Sequence, residues 1–420
     1  MPWYGISTRR SRPACRQRAV VRGPNPDYPA AADEAAQYGR TWYPPSLVPY
    51  TTGVSNGAFQ TWYDDFDSLT AKYSYAANNA LHGVAVFALG YDGGRPEELW
   101  DALQNYGMPV PDTLVRLAGN DRYATAAVIS RDSFPVDDGA QCVVLATGTN
   151  WPDALGGAVL ARACNGPLLL TTPNDLLGTT ADEIARVLPP GGMVHLLGGT
   201  AALSTEVEND LHGLGFATNR LAGSDRVTTA SVVADFMSNG PSTVVIGTKD
   251  NFPDVLSIGG PAAENLYPVL LTARGTLSTA TRNFLRGSHG ASVKNIYVAG
   301  GTSAVSTTVT DQLTALGYAV TRLAGTDRYA TSAAIATNFY PTPTQVTLAT
   351  GTNFADGLTG AANAAGLKAP ILLVTAGTLP TSPWSYLEQH ALTLVGGRVY
   401  GGFAAVSRAV QDVAQTLIVP

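Results

Sequence analysis

Between residues 113 and 420 the chain alternates two kinds of segment. One is short, continuous and apolar, as in Cys142-Val-Val-Leu-Ala146, Pro167 to Thr171, Pro268 to Thr272 and Pro370 to Val374. The other has helical length and a mixed polar and apolar pattern, as in Asp153 to Arg162 and Thr205 to Leu214. An unbroken short apolar run suits a strand covered on both faces, which is its situation in a parallel sheet. Alternation of strand and helix implies right-handed crossovers and a Rossmann-like α/β unit, with four strands per unit as the best count.

The alternation is itself repeated. Arg116-Leu-Ala-Gly-Asn-Asp-Arg-Tyr123 returns as Arg220-Leu-Ala-Gly-Ser-Asp-Arg-Val227 and again as Arg322-Leu-Ala-Gly-Thr-Asp-Arg-Tyr329, at spacings of 104 and 102 residues. A second block follows each copy: Ala146-Thr-Gly-Thr-Asn-Trp-Pro-Asp-Ala-Leu155, Ile246-Gly-Thr-Lys-Asp-Asn-Phe-Pro-Asp-Val-Leu256 and Ala349-Thr-Gly-Thr-Asn-Phe-Ala-Asp-Gly-Leu358. The short apolar strands opening at Pro167, Pro268 and Pro370 form a third block. The fourth ends in paired glycines: Leu197-Gly-Gly-Thr-Ala-Ala-Leu-Ser204, Ala299-Gly-Gly-Thr-Ser-Ala-Val-Ser306 and Tyr400-Gly-Gly-Phe-Ala-Ala-Val-Ser407. Four blocks in one order, three times over, define repeats at 113–218, 219–320 and 321–420, behind a different segment at 1–112.

Local chemistry marks the helix starts. Asn120, Ser224 and Thr326 share one position and are good N-cap residues. The aspartates after them, Asp121, Asp225 and Asp327, complement the helix dipole. Thr205 and Glu208 fit a capping box. Asp153, Asp254 and Asp356 read as further helix-start residues. Arg116, Arg220 and Arg322 precede aspartates by five residues, which suggests structural ion pairs.

Bulk properties narrow the function. Charged residues are only 14% of the chain and the formal net charge is -6. In the repeats, 17 Lys and Arg face 21 Asp and Glu. No overall basic character points to nucleic acid, and no apolar run is long enough to span a bilayer. No Gly-x-Gly-x-x-Gly follows a strand and no Walker-type Gly-Lys-Ser/Thr occurs, so Rossmann-like alternation alone licenses no nucleotide cofactor. The five histidines do not cluster with cysteines or carboxylates at ligand spacing, so neither a metal nor another cofactor is expected. Cys142 and Cys164 would lie at one edge of the sheet, where a disulfide and two separate buried thiols are equally open readings.

The Arg-Leu-Ala-Gly-x-Asp-Arg-Tyr, Thr-Gly-Thr-Asn-x-x-Asp-Ala-Leu and Gly-Gly-Thr-x-Ala-Val-Ser blocks resemble the type 2 cell-wall-binding repeat of Gram-positive bacteria, over about residues 113–418. The resemblance implies three Rossmann-like parallel-sheet units around a pseudo-threefold axis. It also implies a non-catalytic module that holds a secreted surface protein non-covalently on anionic wall polymers or peptidoglycan. With so little net positive charge, anion binding has to come from local clusters. Arginines in the first turn of equivalent helices combine bidentate donors with a positive dipole end. Arg122, Arg226 and Arg328 are therefore the candidate polymer contacts, with Tyr123, Tyr329 and Lys249 beside them. Three weak sites on one rigid body facing a repeating polymer would gain avidity of order 10²–10⁴. The copies are not identical: the middle one has Val227 for tyrosine and adds Lys249, and the last has Phe403 for threonine and Ala355 for proline.

Residues 1–112 hold four of the six tryptophans and no copy of the repeat. Met1-Pro-Trp-Tyr-Gly5, Gln60 to Lys72 and His82 to Asp92 resemble the last quarter of a family-18 glycoside hydrolase, a (β/α)₈ barrel. That implies barrel strands at 1–5 and 83–90 and a closing helix at 97–106. The family's Asp-x-x-Asp-x-Asp-x-Glu acid motif occurs nowhere in the chain, and Phe87 stands where the family has tryptophan. Asp64, Asp65 and Asp67 read as a solvated helix start. An incomplete barrel cannot close its sheet and should not hydrolyse a glycan. Six arginines in Arg9–Arg22, with no acid, resemble the product of a shifted frame or a basic loop. A lost N-terminus would also explain why no signal peptide is visible. An active glycosidase and a purely adhesive surface array are the rival functions.

Overall fold

The computed structural model describes residues 7–10, 21–22, 28–43, 48–54, 58–78, 113–237 and 240–418, and the chain divides into two compact units, Met1–Pro111 and Asp112–Pro420. In the first unit, strands β1 (Ser7–Arg10), β2 (Val21–Arg22), β3 (Thr41–Tyr43), β4 (Val48–Val54) and β5 (Ala58–Trp62) form one sheet in the order β2-β1-β5-β4-β3. Every pairing in it is antiparallel. A (β/α)₈ barrel requires parallel neighbours, so the described strands give no support to an incomplete barrel. The strands expected at 1–5 and 83–90, and the helix at 97–106, lie outside the described residues. The Asp64–Asp67 segment does start a helix, Phe66–Asn78, but it is not simply solvated. Asp65 accepts from the Ser68 amide at 3.0 Å while the Ser68 hydroxyl accepts from the Asp65 amide at 2.8 Å. Arg40 joins Asp65 to Asp67, and Lys72 holds Asp64.

The second unit carries three four-stranded parallel sheets. The first contains β7 (Cys142–Thr147), β8 (Leu168–Thr171), β9 (Met193–Leu197) and β10 (Ala217–Leu221) in the order β10-β9-β7-β8. The second contains β11 (Thr243–Thr248), β12 (Val269–Thr272), β13 (Asn295–Ala299) and β14 (Ala319–Leu323) in the equivalent order. The third contains β15 (Gln345–Thr350), β16 (Ile371–Val374), β17 (Gly396–Tyr400) and, at its edge, β6 (Leu114–Leu117). The central strands are buried along almost their whole length, as the unbroken apolar runs require.

The sheets do not follow the sequence repeats. Each Arg-Leu-Ala-Gly strand is the last strand of the preceding sheet: β10 pairs with β9, and β14 with β13. The first such strand has no preceding unit, and β6 instead closes the ring by pairing with β17, Leu114 opposite Gly397 and Leu117 opposite Tyr400. The following Ala-Gly turn carries the chain across to the next unit. Helices Gly157–Ala163, Pro253–Glu264 and Ala355–Leu367 pack against one another at the centre. Small residues line these contacts: Gly259 faces Ala361, Gly260 faces Ala364, and Gly357 receives Leu256. Small residues let three helix backbones approach this closely.

The helix caps are one residue later than the sequence suggests. Asp121, not Asn120, accepts from the Tyr123 and Ala124 amides at 2.9 and 2.8 Å. Asp225 takes the Thr228 amide and Asp327 the Ala330 amide, each at 2.8 Å, in place of Ser224 and Thr326. The carboxylate is the stronger acceptor for a helix N-terminus. The expected capping box is also shifted: Ser204, not Thr205, accepts from Val207, and Glu208 turns away to Arg220 at 2.8 Å. Cys142 and Cys164 form a disulfide with Cα atoms 5.9 Å apart.

Candidate functional site

In each sheet the chain leaves the first strand towards one side and then crosses to the other. The crossovers on β11 therefore diverge at β12 and β13, and a crevice opens outside the carboxyl ends of β11 and β13. This topological switch point is where open parallel sheets bind ligands. The crevice there has a volume of about 260 Å³. Thr248, Asp250 and Asn251 after β11, Arg274 after β12 and Gly301 after β13 line it. The next unit closes it with Asp327 and Arg328.

The glycine pairs shape this end of the sheet. Gly198, Gly300 and Gly401 have φ of +94°, +99° and +96°, which favours glycine. A Cβ on any of them would also run into the carboxylate of Asp153, Asp254 or Asp356 respectively. Those aspartates do sit at helix starts, and Asp254 and Asp356 also face the adjoining unit. The Arg328 charge and the Thr331 hydroxyl oppose the upward shift that burial imposes on the Asp254 carboxyl. Burial likewise raises Asp356, and Arg122 opposes it. The threonine is doubly engaged, because Thr331 Oγ1 accepts the Gly325 amide at 3.1 Å. Thr125 and Thr229 accept from Gly119 and Gly223 in the same way.

Arg122, Arg226 and Arg328 thus stand at equivalent unit boundaries, and Arg328 lines this crevice. Each donates Nη1 to a carbonyl of its own second-block loop: Arg122 to Gly148, Arg226 to Lys249 at 3.0 Å and Arg328 to Gly351. Arg226 lies 5.3 Å over the Trp151 ring and Arg122 5.6 Å over Phe354, both rings belonging to the preceding unit in the cycle. Trp151, Phe252 and Phe354 approach one another, with centroids 6.0 and 6.2 Å apart. A planar guanidinium held by one edge and one face keeps further donors, and those suit a carboxylate or phosphate. The other candidates are placed differently. The rings of Tyr123 and Tyr329 rest half-buried against Gly148 and Gly351. Lys249 directs its ammonium to Asp250 at 3.1 Å.

Arg116, Arg220 and Arg322 are structural, but not through the aspartates five residues later. Arg116 donates to the Gly401 carbonyl at 2.7 Å and to Gln411. Arg220 binds Gly198, Leu203 and Glu208, and Arg322 binds Gly300 and Ser306. Each reaches the neighbouring Gly-Gly turn, and among the described residues none forms an ion pair with its capping aspartate. Burial, with the neighbouring Arg408 charge, lowers the Arg116 pKa to about 10.

Sequence reading missed two features. Arg274 lines the crevice, yet its position holds Pro173 and Ala376 in the other copies, so repetition could not single it out. Its guanidinium makes no hydrogen bond or ion pair among the described residues. His195 comes within 4.8 Å of the sulfur atoms of Cys142 and Cys164 through the pairing of β7 with β9. The disulfide already ties both sulfurs.

Comparison with known proteins agrees with the geometry. The family described as "Cell wall binding domain 2" matches residues 116–208, 220–310 and 322–411. The N-acetylmuramoyl-L-alanine amidase LytC of Bacillus subtilis is 30% identical over 270 residues, which is 64% of this chain and 52% of that protein. The amidase enhancer of the same organism is 28% identical over 325 residues, 77% of this chain and 43% of its own length. The chain therefore spans about half the length of these relatives. Among solved structures, Cwp8 from Clostridium difficile superposes with a TM-score of 0.67 at 26% identity, covering 76% of this chain and 54% of that one. Cwp6 from the same organism gives 0.67 at 25%, covering 73% and 48%.

Proposed function

Because the chain belongs to the cell wall binding domain 2 family, we propose that residues 113–420 are a non-catalytic module that holds a surface protein on its cell wall by gripping an anionic wall polymer. The observation that carries this reading is the recurrence of one arrangement three times, in which the second-block loop at the carboxyl ends of a parallel sheet has an arginine of the adjoining unit beside it: Arg122 at Phe354, Arg226 at Trp151 and Arg328 at Asp250 and Asn251. An anion entering such a crevice meets guanidinium donors, and three copies on one body suit a polymer that repeats. Arg274 adds a charge to the crevice of the second sheet. The relatives are an amidase and an amidase enhancer, each extending well beyond the matched region. This favours a module that delivers wall-processing machinery over a free-standing adhesive array. Among the described residues no helix is long and apolar enough to cross a membrane. A family-18 hydrolase origin for residues 1–112 rests on the sequence resemblance alone.

The test is co-sedimentation of the full chain with Gram-positive cell walls, before and after mild acid removal of secondary polymers. Sedimentation should disappear on stripping. Arg274→Ala leaves no partner unpaired and should weaken retention with an unchanged melting temperature. Arg122→Lys, Arg226→Lys and Arg328→Lys together keep the charge but lose the fork, and should weaken it further. Equal retention on intact and stripped walls would overturn the reading.

A further inference from the structure

A second cavity, of about 250 Å³, lies where the first and third units close the ring. Its walls include Asp132 and Phe134 at the end of helix Arg122–Ser133, Arg162 and Asn165 just before β8, and Asn363 and Arg398 of the third unit. It sits at the amino end of β8, whereas the crevice of the second sheet opens at the carboxyl ends of its strands. Part of its polar lining is a network. Asn363 donates to Asp132 at 2.9 Å and to Ser133 at 2.8 Å, and accepts from the Tyr400 hydroxyl at 2.8 Å. Arg398 holds Asp132 at 3.0 Å.

None of this follows from the repeat. Aligning the second-block aspartates puts Leu160 and Pro261 at the position of Asn363, and Ala263 and Ala365 at that of Arg162. Aligning the glycine pairs puts His195 and Tyr297 at the position of Arg398. Ring closure accounts for Asn363 and Arg398, which bind Asp132 across the seam. It does not account for Arg162, whose guanidinium makes no hydrogen bond or ion pair among the described residues. The cavity therefore brings two arginines against one carboxylate, with an amide and the Phe134 ring beside them. Its volume falls below the range of about 300–1,000 Å³ usual for drug-sized ligands, so it suits one ring and not a chain.

We propose that this seam cavity is a non-repeated subsite that binds a single sugar residue bearing a carboxylate. The carboxylate meets Arg162 and Arg398, and the hydroxyls meet Asp132 and Asn165. The assignment of its source to the wall rests on the function proposed above, whereas the binding itself does not.

Glucuronate, glucose and inorganic phosphate, titrated into the full chain by isothermal calorimetry, separate the possibilities. Glucuronate should bind with one site per chain, and neither of the others should match it. Arg162→Ala, an exposed side chain with no partner to lose, should weaken glucuronate about ten-fold or more with an unchanged melting temperature. Arg162→Lys should recover only part of that loss. Arg162-dependent binding of glucose or phosphate equal to that of glucuronate, or unaltered glucuronate binding by Arg162→Ala, would overturn the proposal. The triple lysine variant of the crevices should bind glucuronate normally, so a failure of wall retention and a failure of this subsite are read independently.

Discussion

Ring closure by β6 makes a strong demand on Leu114. This residue opens the first repeat in sequence, yet its side chain is fully buried in the core of the third unit beside Val346, Leu348 and Val399. Truncation to alanine removes buried methyl groups from a site walled by strands on one side and helices on the other, where collapse is limited. The expected cost is about 3–4 kcal/mol. If the third unit opens as a cooperative piece, its amides should exchange about 10²–10³ times faster, since each 1.4 kcal/mol is ten-fold. Hydrogen–deuterium exchange of Leu114→Ala should show that acceleration in β15, β16 and β17, more than 200 residues along the chain, and little change in β7 to β9. Leu145→Ala, in the centre of β7, should give the opposite map. Acceleration confined to β7 to β9 in Leu114→Ala would refute the idea that the first Arg-Leu-Ala-Gly strand completes the third sheet.

Two further outcomes test the energetics. The Cys142–Cys164 disulfide closes a loop of 22 residues, worth about 3 kcal/mol in the chain-entropy account. Cys142→Ser with Cys164→Ser should lower the melting temperature in the absence of reductant, and reductant should lower only the parent; no reductant effect on the parent would count against a structural cross-link. The raised pKa values of Asp254 and Asp356 mean that the folded state holds those protons more tightly than the unfolded chain. The stability they contribute is therefore complete at low pH and lost as pH rises through the raised folded values. Asp254→Asn with Asp356→Asn removes that loss, so its melting temperature relative to the parent should climb as pH rises above about 4. Glu183, Glu208 and Asp225, whose lowered values act in the opposite direction, are common to both proteins and cancel. A constant or shrinking difference would contradict the assigned burial.

Much of this protein was legible in its sequence because the relevant physics is local. Continuous apolar runs specify strands covered on both faces, and the runs at Cys142, Pro167, Pro268 and Pro370 are such strands or enter them. Capping needs a short acceptor at a helix start, and Asp121, Asp225 and Asp327 supplied it within one residue of the expected place. Repetition marked Arg122, Arg226 and Arg328 as equivalent. What the sequence could not state was which partners lie far along the chain. Strand register alone decides that Arg116 clamps Gly401 and that His195 lies beside a disulfide. Ring closure alone decides that a strand of the first repeat completes the third sheet. The first-turn arginines belong to both categories: their place in a helix is a local property, whereas the aromatic ring and carboxylate they meet belong to another unit. The residues that depart from the repeat, Arg274 and Arg162 among them, were hidden because a repeated pattern discards what occurs once. Only the packing of three units shows that such positions border a cavity.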